Sequence, residues 1–241
     1  MNYRDTFDFI VDKYNLQDAS GYTPGKPADK VVEIPNTTRD TLAQIFKELN
    51  FNIGAEIGVE RGLYSEVLCK ENPNLKLFSI DAWTAYKGYR DHVTQSKLDG
   101  IYEDAKNRLA PFNAELIKGF SMDVVKKFED ESLDFVYIDG NHSFQHVVND
   151  LCEWEKKVKV GGIIAGHDYI KRIHNGYLMH VPMAVHGFLD SYDIRPLFIL
   201  GRRHTADNLD PAKGELREST RSWFYVKPEK QPIKPGHKTH S

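Results

Sequence analysis

A chain of 241 residues is long enough for one large α/β domain with a substantial core and too short for two. Hydrophobic residues at 40% and charged residues at 28% are ordinary for a globular protein, and a formal charge of −3 gives no general attraction to nucleic acid, although Arg202-Arg203 could form a local basic patch. No run approaches the ~18 consecutive apolar residues of a membrane span and Met1 to Asp5 forms no signal core, so the expectation is a cytoplasmic protein with no membrane partner.

In chain order, Phe7 to Tyr14 is a short apolar-patterned piece, followed by a turn-rich stretch with Gly21, Pro24, Gly25 and Pro27. Residues 1–36 therefore read as an N-terminal arm. From Thr38 the pattern changes, with Leu42, Ile45, Phe46 and Leu49 at helical spacing. Strand-like runs at 53–58, 75–81, 114–118, 133–139 and 161–167 then alternate with helical runs at 62–71, 100–110, 121–128, 143–158 and 179–191. Such alternation predicts βαβ units, hence a doubly wound, mostly parallel sheet with helices on both faces. Two further strands, 196–200 and 222–227, are separated only by the polar segment 201–221 and read as an antiparallel hairpin at one edge of a seven-stranded, Rossmann-like sheet. The domain is thus placed at 37–227. The tail 228–241 has three prolines, three lysines and two histidines and almost nothing apolar, so it is expected to be disordered. Cys69 and Cys152 have no CxxC neighbour and read as buried, reduced thiols.

The first chemical motif is Glu56-Ile57-Gly58-Val59-Glu60-Arg61-Gly62, continuing to Ser65, where a strand gives way to a helix. Glycines suit a sharp turn in which a ligand approaches backbone. The GxGxxG dinucleotide fingerprint is absent, and the carboxylates of Glu56 and Glu60 would repel a pyrophosphate but attract an ammonium group. An ordinary βα turn is the plain alternative. Asp81 ends the next strand about 20 residues on, where a carboxylate takes ribose hydroxyls. Trp83 follows it, opening an aromatic and cationic segment with Tyr86, Tyr89, Arg90 and His92 that could close as a lid. After the third strand, Gly119, Phe120 and Ser121 would lie against an adenine ring, with Ser121 also suited to cap a helix.

Two later strands end in Asp139 and in His167-Asp168, so candidate metal ligands converge at the carboxyl edge of the sheet. Adjacent strand residues point to opposite faces, so His167 and Asp168 reach one ion together only if the strand has ended by Gly166. Between these strands, Phe144, Val147, Val148, Leu151, Trp154 and Val158 form one apolar helix face and read as core. His142 reads either as a functional imidazole or as a surface residue ahead of a helix that Ser143 could cap.

Glu56-Ile57-Gly58-Val59, Asp81 and the pair DGNHSF…GGIIAGHDY resemble the class I S-adenosylmethionine-dependent methyltransferases, and more narrowly the metal-dependent macrocin-type and cephalosporin-hydroxylase-like O-methyltransferase group. The resemblance spans about residues 50–170. It implies that Glu56 and Gly58 contact the methionine end of the cofactor and Asp81 its ribose, with Val59, Gly62, Ser65, Trp83, Gly119, Phe120, Ser121 and Asp139 completing the cofactor set. It implies also that Asp139 and Asp168 hold a divalent magnesium ion and that His142 is the catalytic base. His167 stands where relatives often have an acid, which would shift preference toward manganese, iron or zinc if it joins the ion. The implied reaction is methylation of a hydroxyl on a sugar or other small polyhydroxylated acceptor; homo-oligomers are compatible with it. Rival readings are a non-catalytic binding or assembly protein, a nicotinamide-dependent oxidoreductase and a metal-dependent hydroxylase. Segments 170–180 and 201–221, with Arg202, Arg203 and His204, are candidates for acceptor selection.

Overall fold

The computed structural model describes residues 2–16, 31–86, 94–174, 177–201 and 220–229. The alternating apolar runs fold into parallel strands β2 (Ile53–Ile57), β3 (Lys76–Asp81), β4 (Ala114–Lys118), β5 (Leu133–Ile138) and β6 (Val158–Gly166). Helices α3 (Leu63–Glu71), α4 (Gln95–Leu109), α5 (Ser121–Val124) and α6 (Phe144–Lys157) connect them in turn. Ahead of these lie α1 (Tyr3–Lys13), β1 (Val31–Ile34) and α2 (Arg39–Glu48); α7 (Val181–Tyr192), β9 (Leu197–Leu200) and β10 (Trp223–Val226) follow.

The main sheet runs β1-β9-β10-β6-β5-β2-β3-β4 and has eight strands rather than the seven expected. The eighth is β1, which pairs in parallel with β9, so the antiparallel β9–β10 hairpin is flanked on both sides instead of forming an edge. Its sequence, Val31-Val32-Glu33-Ile34, is too short to stand out beside the turn-rich stretch before it, yet Val32 and Ile34 are buried while Glu33 is exposed, the period-2 pattern of a half-covered strand. Two short strands also escaped the sequence reading: β7 (Arg172–His174) and β8 (Tyr177–Met179) form a separate antiparallel pair.

Alternate residues of β5 feed two cores, as a sheet covered on both sides requires. Phe135 and Tyr137 face α1, α2 and α3, where the Phe46 ring stacks on Phe135 with centroids 4.0 Å apart. Val136 and Ile138 face α6 and α7, whose Leu151, Trp154, Ala184 and Val185 are fully buried. An Asn2–Asp5 capping box starts α1, and Thr6 donates to the Gly161 carbonyl at 2.7 Å, tying this helix to β6.

Four local expectations need correction. The helix expected at 100–110 begins at Gln95, and that expected at 121–128 is a single α turn followed by a 3-10 turn at Val125–Lys127. Phe144, assigned to the core face of α6, is 47% exposed and meets the His180 ring edge-on at the first turn of that helix. Ser121 is not a helix cap: Phe120 holds that position, and the Ser121 hydroxyl bonds to Asp150 and Trp154 instead. Tyr89, Arg90, His92, Arg202, Arg203, His204, the turn-rich part of the arm and the tail from 230 lie outside the described residues.

Candidate active site

Strand order reverses around β2, which has β3 and β4 on one side and β5 and β6 on the other. Open α/β sheets bind ligands at the carboxyl ends of strands at such a switch point. A cavity of about 590 Å³ opens there, within the usual size of a small-molecule site. Its walls come from the turns after β2, β3, β4 and β5 and from α6.

The turn after β2 is built on left-handed backbone. Gly58 has φ +91°, and a methyl group on it would run into the Asp139 carbonyl oxygen, so only glycine lets β2 and β5 release their chains side by side. Gly62 (φ +73°) starts α3. Within β2, Glu56 is 2% exposed and accepts a hydrogen bond from the Ser65 hydroxyl, which also lies 3.1 Å from Ser79 Oγ. Burial pushes the Glu56 carboxyl up to about 8, with nearby Asp139 and Asp81 adding to the rise and Ser65 and Arg39 opposing it. A buried acid of this kind ionises when a cation arrives beside it. Gly62 and Ser65 shape the wall from behind without lining it, whereas Val59 faces the cavity.

Asp81 fixes the next turn: Oδ2 accepts the Glu60 amide and Oδ1 the Trp83 amide, both at 2.9 Å. Burial raises its pKa, and these amides oppose the rise. The Val59 amide bonds to the same carboxylate, so of its roughly four acceptor sites about one stays open to a ribose hydroxyl. Trp83 is 1% exposed, donates its indole N–H to the Glu60 carbonyl at 2.9 Å and packs on Tyr102, so it braces the turn rather than forming the tip of a lid. The Gly119 amide donates to the Asp81 carbonyl at 2.9 Å, which sets the β4 turn directly beside Asp81. There Phe120 is 45% exposed and meets Tyr86 edge-on, leaving ring surface for a ligand.

On the other side of the switch point, His142 Nε2 lies 3.3 Å from Asp139 Oδ1 and 3.1 Å from Asp168 Oδ2. Ligand-capable atoms of these three residues all lie within 4.8 Å of one another. β6 does end at Gly166, and Asp168 adopts φ +53°, so His167 turns to the same side: its Nδ1 is 3.6 Å from Asp168 Oδ1 and 3.9 Å from Asp139 Oδ2. His142 is held by its backbone carbonyl, which accepts from the His180 amide at 3.0 Å. Ser143 does occupy the cap position of α6, but its hydroxyl pairs with His146 Nδ1 at 2.6 Å.

Sequence reasoning missed Arg39, His146, Asn149 and Asp150, all of which line the cavity. Arg39 belongs to a helix outside the recognised motifs; its carbonyl accepts from the Tyr64 hydroxyl at 2.8 Å and its guanidinium lies over the Tyr64 ring. Asp150 did leave a signal, being an acid on the stripe that runs from Val147 through Leu151 to Trp154.

Residues 55–169 match the family model for a methyltransferase domain, a segment that holds every cavity-lining residue except Arg39. No curated protein matches the chain. Among solved structures, an O-methyltransferase from Bacillus cereus in complex with SAH aligns with a TM-score of 0.51 and 15% identity, over 92% of this chain and 91% of that one. The O-methyltransferase TomG from Streptomyces achromogenes, involved in tomaymycin synthesis and solved with SAM, aligns with a TM-score of 0.50 and 14% identity, over 78% of this chain and 79% of that one. The fold is that of the class I methyltransferases. Residues 55–169 thus match a methyltransferase domain, on a fold shared with these O-methyltransferases.

Proposed function

We propose that this protein methylates a hydroxyl oxygen on a sugar or another small polyhydroxylated acceptor, with a divalent cation at the acceptor side. The observation that carries this reading is the convergence of Asp139, His142 and Asp168 beside a cavity suited to S-adenosylmethionine. The cavity residues fit that cofactor chemically: the buried Glu56 suits an ammonium group, Asp81 a ribose hydroxyl, and Gly119 with Phe120 a flat purine. Bound there, it would supply a methyl group on a positively charged sulfur.

Two carboxylates and imidazole nitrogen are a donor set that divalent cations accept. Asp139 and Asp168 would hold the cation, with His167 at its flank and magnesium the first ion to test. The charge it supplies would stabilise a hydroxyl that is losing its proton. His142 receives that proton. Its Nε2 lies 3.3 Å from Asp139 Oδ1 and 3.1 Å from Asp168 Oδ2, beside the proposed cation, and imidazole is the side chain most often used as a general base. A hydroxyl is a poor nucleophile without alignment, so the acceptor must lie between this cluster and the cofactor cavity.

The test is turnover on a panel of sugars and polyols after chelation, with magnesium, manganese, iron(II) or zinc added back. Loss on chelation and recovery with one ion, at unchanged S-adenosylhomocysteine affinity, is the expected outcome. Full turnover in chelator removes the cation from the reading.

A further inference from the structure

Among the residues that line the cavity is an acid, Asp150, that the reading above leaves without a task. We propose that Asp150 recognises the amino edge of the cofactor's adenine and so makes the enzyme select an aminopurine over its 6-oxo counterpart. This inference rests on the S-adenosylmethionine reading of the cavity and adds a specificity residue to it.

Asp150 sits on α6, is 5% exposed and borders the cavity together with Ser121, Met122, His146 and Asn149. A directional relay fixes its chemistry. The Trp154 indole N–H donates to Ser121 Oγ at 2.7 Å, and because an indole can only donate, Ser121 accepts there. The one proton of the Ser121 hydroxyl then goes to Asp150 Oδ1. Ser121 therefore has no proton left for a ligand, and Oδ2 of Asp150 is the oxygen the relay leaves to meet one.

Burial pushes the Asp150 carboxyl up to about 6, which still leaves it mainly ionised near pH 7. An ionised carboxylate only accepts, so it favours an N–H edge and repels a carbonyl edge. Position agrees with this role. The β4 turn is joined to Asp81 through the Gly119 amide, so a base attached to a ribose at Asp81 reaches Phe120 for stacking and Asp150 for its edge.

Asp150→Asn makes a sharp test, because the relay dictates how the amide must lie. Ser121 still has a proton to donate, so the asparagine oxygen faces Ser121 and its NH₂ faces the cavity. The acceptor becomes a donor while size is kept. Calorimetric titration would compare S-adenosylhomocysteine with its 6-oxo analogue, S-inosylhomocysteine, on the wild type and on Asp150→Asn, with thermal melting to verify folding.

The wild type should prefer the adenosyl ligand by about 10- to 100-fold, the range of one hydrogen bond to a charged group, and Asp150→Asn should cancel or invert that preference. An equal ratio for both proteins, at preserved melting temperature, overturns the inference and leaves the cofactor reading intact. Absence of binding of either ligand to the wild type would instead overturn the cofactor reading itself. Should Asp150→Asn fold poorly, Asp150→Ser serves as the second variant. It removes the carboxylate, so the adenosyl preference should fall, and an unchanged preference at preserved melting temperature overturns the inference.

Discussion

The two sides of the switch point are built differently. On the β2–β4 side, backbone makes the site: Gly58 and Gly62 in left-handed turns, and Asp81 gripping the amides of Glu60 and Trp83. On the β5–β6 side, side chains from separate segments make it, as Asp139, His142, His167 and Asp168 close on one another. The first side is tied by backbone hydrogen bonds. The second depends on where four ionisable side chains point, with the β7–β8 hairpin beyond them exposing Ile173 and Leu178. The lesson is that cofactor affinity and acceptor chemistry should respond to separate substitutions.

The largest effect is expected from His142→Ala, which should lower turnover by about 10²- to 10⁴-fold, the usual range for a lost general base. S-adenosylhomocysteine affinity by calorimetry should stay the same. A matching loss of affinity would merge the two halves. Next comes Asp81→Ala, which removes the acceptor of turn amides and of a ribose hydroxyl. Affinity should fall about 100-fold, as for roughly 3 kcal/mol of charged hydrogen bonding, and the melting temperature should drop as well.

A smaller, pH-dependent effect belongs to Glu56. Burial pushes its folded pKa up to about 8 from the ordinary 4.5, so the protonated form stabilises the fold. That contribution is complete below about pH 4.5 and is lost as pH rises through 8. Ligand-free melting temperature should therefore decline across this window more steeply in the wild type than in Glu56→Gln. Near pH 7, binding of S-adenosylhomocysteine should release a proton from Glu56, read as a dependence of binding heat on buffer ionisation enthalpy; equal heats in all buffers would contradict the ammonium assignment. The smallest effect is expected from Ile173→Ser, an exposed position that should change stability by less than about 0.5 kcal/mol and leave cofactor affinity alone.

Much of this division was legible in the chain. Strands 53–58, 114–118 and 133–139 were readable within a residue or so because buried parallel strands are short continuous apolar runs, and Gly58, Gly62 and Asp81 were readable because turns demand particular residue types locally. Strand β1 was hidden because four residues carry little periodicity, and its partner β9 is more than 160 residues away. Ser121 looked like a helix cap because capping serines are common. Only its contact with Asp150 and Trp154, 29 and 33 residues on, shows where its proton goes.

The sequence by itself determined the βαβ order, the glycine turns, the acid at the end of β3 and the methyltransferase resemblance, since each of these is encoded in residues near one another. Only the tertiary structure decided that β1 rather than the β9–β10 hairpin borders the sheet, and that His142 stands between two carboxylates. It alone set Asp150 against Ser121 in the cavity wall. Those arrangements arise where separate segments pack, and the directions of side chains that meet there depend on both partners at once.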